Sequence, residues 1–89
     1  MTDVNLNRLA VFTALVRAGS FTAAADALGI TKAMVSQHMA RLESELGVTL
    51  LSRSTRRMTL TEAGSTFHAA CLGILADAEA AIARLSRSK

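Results

Sequence analysis

The 89-residue chain has no proline, no tryptophan and no tyrosine, and only one cysteine. Without proline the strongest helix breaker is missing, and alanine, leucine and arginine are frequent, so most of the chain is expected to be helical. The single thiol, Cys71, excludes an intrachain disulfide and suits a reducing cytoplasm. Three phenylalanines are the whole aromatic complement. That is too few for a surface that stacks unpaired bases, and a poor basis for a carbohydrate platform. The N-terminus, "MTDVNLNRLA", lacks the basic segment and apolar run of a secretory signal. No apolar stretch is expected to reach the ~20 residues of a transmembrane helix, and no membrane association is expected. There is no internal repeat or low-complexity tract, and the length suits one small domain. So short a domain is marginal alone, and oligomerisation is one usual remedy.

Ten Lys and Arg against seven Asp and Glu leave a net charge of +3, too little to identify an anionic partner by itself. Placement says more: Arg53, Arg56 and Arg57 fall within five positions with no acid among them. Periodicity and punctuation then predict four helices and a hairpin. Leu6, Leu9, Phe12, Leu15 and Val16 recur at helical spacing between a cap at Asn5 and a stop at Gly19. Ser20 or Thr22 caps a second helix that Gly29 ends. Thr31 caps a third, whose Val35, Met39, Leu42 and Leu46 form one apolar stripe up to Gly47. The period then changes. "VTLLSRSTRRMTL" is consistent with two short strands, about 49–53 and 57–60, joined by a turn at Ser54 to Arg56. Thr61 caps a last helix reaching about Leu85, with Glu62 in the first turn, where the helix dipole favours an acid. Gly64 and Gly73 are expected to weaken that helix from inside.

The stretch "ADALGITKAMV", residues 25–35, has a geometric explanation. Two helices crossing at about 90–120° through a tight turn form a helix-turn-helix. The first helix needs a small residue at the contact, here Ala25. The turn needs a residue that tolerates positive φ, here Gly29. The second helix plants an apolar anchor back against the first, here Val35. His38 stands where such units often carry an aliphatic residue, and Met39 is expected to pack in its place. With the hairpin added, the unit is a winged helix, which serves as a DNA-binding unit but also as a structural bundle or protein-binding module.

As a DNA-binding unit, the third helix would present its N-terminal turns to base edges in the major groove. Opposite its apolar stripe lie Lys32, Ala33, Ser36, Gln37, Ala40 and Arg41. Gln37 suits adenine, Lys32 suits guanine, and Ala33 with Met34 suits a thymine methyl, while Ser36 reaches a base or a phosphate. Thr22 and Thr31 add hydroxyl donors at helix N-termini, where phosphates are attracted; simple capping is compatible with that role. Arg53, Arg56 and Arg57 suit backbone phosphate or a narrow minor groove. Arg41 is a further phosphate candidate unless Glu45, four residues on, takes it. A solvated helix face and turn are the plainer alternative.

On the last helix Phe67, Cys71, Ile74, Ala78, Ala81 and Leu85 step by 4, 3, 4, 3 and 4, widened by Leu75 and Ile82. That is a heptad seam. Residues 62 to 85 would span ~36 Å at ~1.5 Å per residue, more than a small winged body covers. The stripe therefore calls for a partner or folds back on its own domain; its polar face is too poor in Lys and Arg for a membrane surface. His68 and Cys71 lie three apart, but two ligands per chain make a weak metal pattern. No Gly-rich phosphate loop occurs, and neither histidine sits in a triad or a carboxylate pair. No metal, cofactor or enzymatic activity is expected.

The run "GSFTAAADALGITKAMVSQHMARLESELGVTLLSRSTRRMTLTEAG", residues 19–64, resembles the DNA-binding domain of the LysR-type transcriptional regulators. The resemblance rests on "GSFTAAA", the "VS" of the third helix, "RLESELGVTLL", the Arg53 that follows, and "LTEAG"; with the first and last helices it covers nearly the whole chain. It implies a mainly α fold. Residues 1–61 would be a winged helix-turn-helix DNA-binding domain, three helices plus a short two-stranded wing. Residues 62–89 would be a long linker and dimerisation helix, packed antiparallel on a second copy. It further implies a cytoplasmic bacterial regulator, nucleoid-associated when bound, that binds double-stranded DNA as a homodimer at an interrupted inverted repeat in a promoter.

The departures fall mostly on the reading helix. Lys32 and Ala33 replace a frequent Gln followed by Pro or Ser, and Gln37 and His38 replace a frequent Arg or Lys followed by Gln. They bear on the operator sequence and not on the fold, and Leu51 for a common Phe is a conservative core change. Nothing within these 89 residues corresponds to the large effector-binding domain that the resemblance implies. The chain is therefore expected to be a DNA-binding segment, or a regulator without a sensor, with a small-molecule effector only if a further domain exists. A second reading is a helical interaction module or antiactivator that heterodimerises with a full-length regulator.

Overall fold

Every helix begins where a side chain can satisfy an otherwise free amide, and the first three end where a glycine can turn left-handed. The computed structural model describes residues 5–53 and 58–87. Its elements are α1 (Leu6–Ala18), α2 (Phe21–Leu28), α3 (Lys32–Leu46), β1 (Leu51–Arg53), β2 (Met58–Leu60) and α4 (Glu62–Arg87). The Asn5 side chain accepts from the Arg8 amide at 3.1 Å, Ser20 from Ala23 at 3.1 Å, Thr31 from Met34 at 3.1 Å and Thr61 from Gly64 at 3.0 Å. Of the two candidates for α2, Ser20 is the cap. At the turn of the helix-turn-helix Gly29 has φ 70°, a backbone state that a Cβ would strain.

The core forms around α1, which packs against α2, α3 and α4. Phe12 and Leu15 of α1, Val35, Met39 and Leu42 of α3, Leu50 and Cys71 are fully buried. Ala24 and Ala25 bring α2 close, and Met39 takes the packing position beside half-buried His38. The Thr13 hydroxyl, buried in α1, donates back to the Ala10 carbonyl at 3.0 Å. Phe12 stacks on Phe67 of α4, with ring centroids 5.9 Å apart. Leu6, expected on the apolar stripe, is 51% exposed in the first turn of α1.

The two strands pair antiparallel, Leu51 opposite Leu60, Ser52 opposite Thr59 and Arg53 opposite Met58. β1 is shorter than expected, and Arg57 and the turn at Ser54 to Arg56 lie outside the described residues. Leu50, just before β1, joins three elements. Its N–H donates to Glu43 Oε2 of α3 at 2.7 Å, and its carbonyl accepts from the Thr61 N–H at 3.0 Å. The Thr61 hydroxyl also donates to the Thr49 carbonyl at 2.6 Å. Helix α4 passes so close that a Cβ on Gly64 would stand 2.0 Å from the Leu50 oxygen. Gly64 is thus a packing requirement rather than only a weak point.

The α4 helix is about 39 Å long at ~1.5 Å per residue, and only its first half is covered. The radius of gyration is 14.0 Å, against ~12 Å for a compact chain of this length. Toward the far end Ile82 is 64% and Leu85 71% exposed. By length and composition alone α4 could cross a membrane, with mean hydropathy 1.3 over an 18-residue window. That corrects the expectation that no segment qualifies: Asp77 and Glu79 break the run without offsetting its hydropathy.

Two glycine substitutions should separate in urea titrations. Gly64→Ala forces a Cβ into the Leu50 backbone and is expected to destabilise by about 3 kcal/mol, the upper end for overpacking. Gly73→Ala meets no atom within 4 Å and is expected to stabilise by roughly 0.5–1 kcal/mol through helix propensity.

Candidate nucleic-acid interface

The candidate surface is the side of α3 that its buried stripe leaves outside. With Val35, Met39 and Leu42 in the core, the helical period turns Ala33, Gln37, Ala40 and Arg41 outward, and all four are exposed. Lys32 is exposed at the first position of the helix. Met34 is 43% exposed, so its side chain belongs to the surface and not to the core. Ser36 is half-buried on one flank of this face. Thr31 spends its acceptor on the Met34 amide, and its hydroxyl hydrogen remains for an outside partner. Thr22, exposed in the first turn of α2, is likewise available because Ser20 does the capping.

A cavity of about 210 Å³ opens on the other flank, lined by Met34, Gln37, His38 and Arg41 with Arg8 of α1. Of these, Arg8 is the residue that sequence reading does not place on this surface; His38 is a DNA-contact candidate from sequence as much as Met34 is. Arg8 arrives there by tertiary packing that no local pattern signals. Its guanidinium pairs with Glu45 across the α1–α3 interface. The i,i+4 rule offered Glu45 to Arg41, but α1 holds that carboxylate. Among the described residues Arg41 therefore has no ion-pair partner and extends the polar face of α3. Of the wing arginines, Arg56 and Arg57 lie outside the described residues, as does the side chain of Arg53.

The heptad stripe of α4 divides along its length. Cys71 is 0% exposed inside its own domain. It lies in the core cluster together with Phe12 and Leu15 of α1. Phe67, Leu75 and Ala78 are half-buried, the first two packed against the core. Ile74, Ala81, Ile82 and Leu85 are exposed. Beside them a groove of about 350 Å³ runs between α1 and α4, with Ala10, Ala14 and Arg17 on one wall and Leu72, Ala76 and Glu79 on the other. His68 sets its ring edge-on to Phe12, centroids 5.9 Å apart. Among the described residues no group of three His, Cys, Asp or Glu side chains gathers as metal ligands would.

A helix-turn-helix with an exposed polar second helix, an antiparallel wing and a projecting last helix defines the winged helix-turn-helix class of DNA-binding domain. Residues 6–65 match the bacterial regulatory helix-turn-helix proteins of the lysR family, and the chain belongs to that family. The transcriptional regulator PtxR of Pseudomonas aeruginosa is 43% identical over 82 residues, 92% of this chain and 26% of PtxR. The chain thus spans about a quarter of the length of that relative. The BenM DNA-binding domain in complex with catB site 1 DNA is 33% identical with TM-score 0.90, over 94% of this chain and 90% of that one. The CbnR DNA-binding domain in its DNA complex is 34% identical with TM-score 0.87, over 96% and 98%.

Burial pushes the Cys71 thiol above its ordinary value of 9.0, because a thiolate loses hydration there. The thiolate is the reactive form. Iodoacetamide is therefore expected to label Cys71 much more slowly in the folded protein than in urea. The rate should not change with protein concentration, because the shielding comes from the same chain.

Proposed function

We propose that the protein binds double-stranded DNA sequence-specifically as a homodimer and regulates transcription at an interrupted inverted repeat. The carrying observation is the two-sided α3 of a LysR-family winged helix: Val35, Met39 and Leu42 buried, Lys32, Gln37 and Arg41 exposed. In this reading Lys32 and Gln37 donate to base edges, Ala33 and Met34 meet a thymine methyl, and Ser36 reaches base or phosphate. Thr22, Thr31 and Arg41 hold phosphates, and Arg53, Arg56 and Arg57 follow the backbone or the minor groove beside them. Residues 1–61 bind DNA and residues 62–89 join two copies.

Dimerisation is supported by the unpaired apolar end of α4. Ile82 and Leu85 are each more than half exposed, which a solitary helix in water does not favour. Two copies related by a two-fold axis carry two reading helices to successive half-sites. Joining two weak half-sites raises affinity through effective concentration. The work is that of a cytoplasmic regulator, and no catalytic step is assigned to it.

The deciding experiment is enrichment of duplexes from a randomised pool, followed by titration of the enriched sequence against random duplex at several salt concentrations. The expected outcome is preference for an inverted repeat with a steep loss of affinity as salt rises. Equal binding to random duplex would sink the proposal. Gln37→Ala is expected to cost about 1–3 kcal/mol and to relax preference at one base position, whereas Arg41→Ala should weaken all sequences alike and lower the salt slope by about one. The double variant Ile82→Lys, Leu85→Lys is expected to sediment as a monomer and to bind a single half-site no worse than the unmodified protein.

A further inference from the structure

Glu43 is an acid on the helix proposed to read a polyanion. Among the described residues no cation pairs with it; the ion pair of this region is Arg8 with Glu45. Its Oε2 instead accepts two backbone N–H groups, from Leu50 at 2.7 Å and Leu51 at 3.2 Å. Those amides sit where the chain enters β1. The half-buried carboxylate thereby fastens the foot of the wing to the reading helix with two charge-assisted bonds. From the other side Leu50 is held by Thr61 and by the close passage of Gly64. Only Gly47, Val48 and Thr49 separate α3 from this point, so the glutamate governs the direction in which the β1–β2 ladder leaves α3.

Electrostatically, a carboxylate so near the DNA face opposes binding. Whatever Glu43 contributes to binding must come through geometry. We propose that Glu43 is a positioning residue for DNA recognition: it sets the angle between wing and reading helix so that both meet one duplex in register. This rests on the operator-binding reading above.

Charge and geometry predict opposite signs, so substitution distinguishes them. E43Q and E43A remove the same negative charge, and electrostatics alone makes both bind more tightly. Under the proposal E43A binds the enriched duplex about tenfold more weakly, with a salt slope lower by about one for each phosphate that the wing no longer reaches. Hydroxyl-radical protection should weaken at the flanks of the site while discrimination against a changed base under α3 stays the same. E43Q keeps an oxygen that accepts both amides and should bind at least as tightly as the unmodified protein. E43D keeps the charge but is one methylene short, and should behave like E43A; if E43A does not fold, the E43D and E43Q pair decides. The proposal falls if E43D matches the unmodified protein, if E43Q is as weak as E43D, or if base discrimination is lost together with flank protection. An unmodified protein that enriches no duplex overturns the operator reading and this proposal with it. Enrichment followed by any of the three failures overturns this proposal alone.

Discussion

The structure depends first on the burial of α1. Phe12 and Leu15 lie wholly inside, and their surfaces are shared by α2, α3 and the opening turns of α4. An 89-residue chain has one core to build, and it builds it on the helix that carries none of the proposed base-reading residues. Fully burying an aromatic or aliphatic side chain is worth about 1.5–3 kcal/mol, and α1 supplies several of them. The helices around it are short or half-exposed and have little stability without that platform.

On that platform α3 has two duties that the helical period separates. Its inner stripe is apolar and anchored. Its outer face is polar and bound to nothing else in the described chain, which is what a surface needs to exchange water for a ligand. Arg8 contributes indirectly. By holding Glu45 against α1 it keeps an acid from neutralising Arg41 on the same helix. A local pairing rule and a tertiary contact competed for one carboxylate, and the tertiary contact won.

Much of this was legible because it is local. Asn5, Ser20, Thr31 and Thr61 cap the helices that follow them, and Gly19, Gly29 and Gly47 stop the helices before them; each uses a side chain or a φ angle within a few residues. The inward stripe of α3 follows from its period, and so does the outward face. What sequence reading missed is long-range. Nothing near Gly64 announces that a carbonyl fourteen residues earlier will lie where its Cβ would stand. Nothing near Cys71 says which part of the heptad stripe α1 will cover. Glu43 shows only an acid on a helix until the chain returns through Gly47 and brings two amides to it. Arg56 and Arg57 lie outside the described residues and remain assigned from sequence.

The contact of Gly64 with Leu50 also has a mechanical meaning. It is backbone against backbone, with no side chain between to flex. Phe67, Cys71 and Leu75 then hold the next turns of α4 in the core, so only about 18 Å of helix beyond Leu75 stands clear. A bend of about 10° where that cover ends carries the tip about 3 Å and leaves the Leu50 contact as it was. The clamped turns insulate the foot of the wing from the arm.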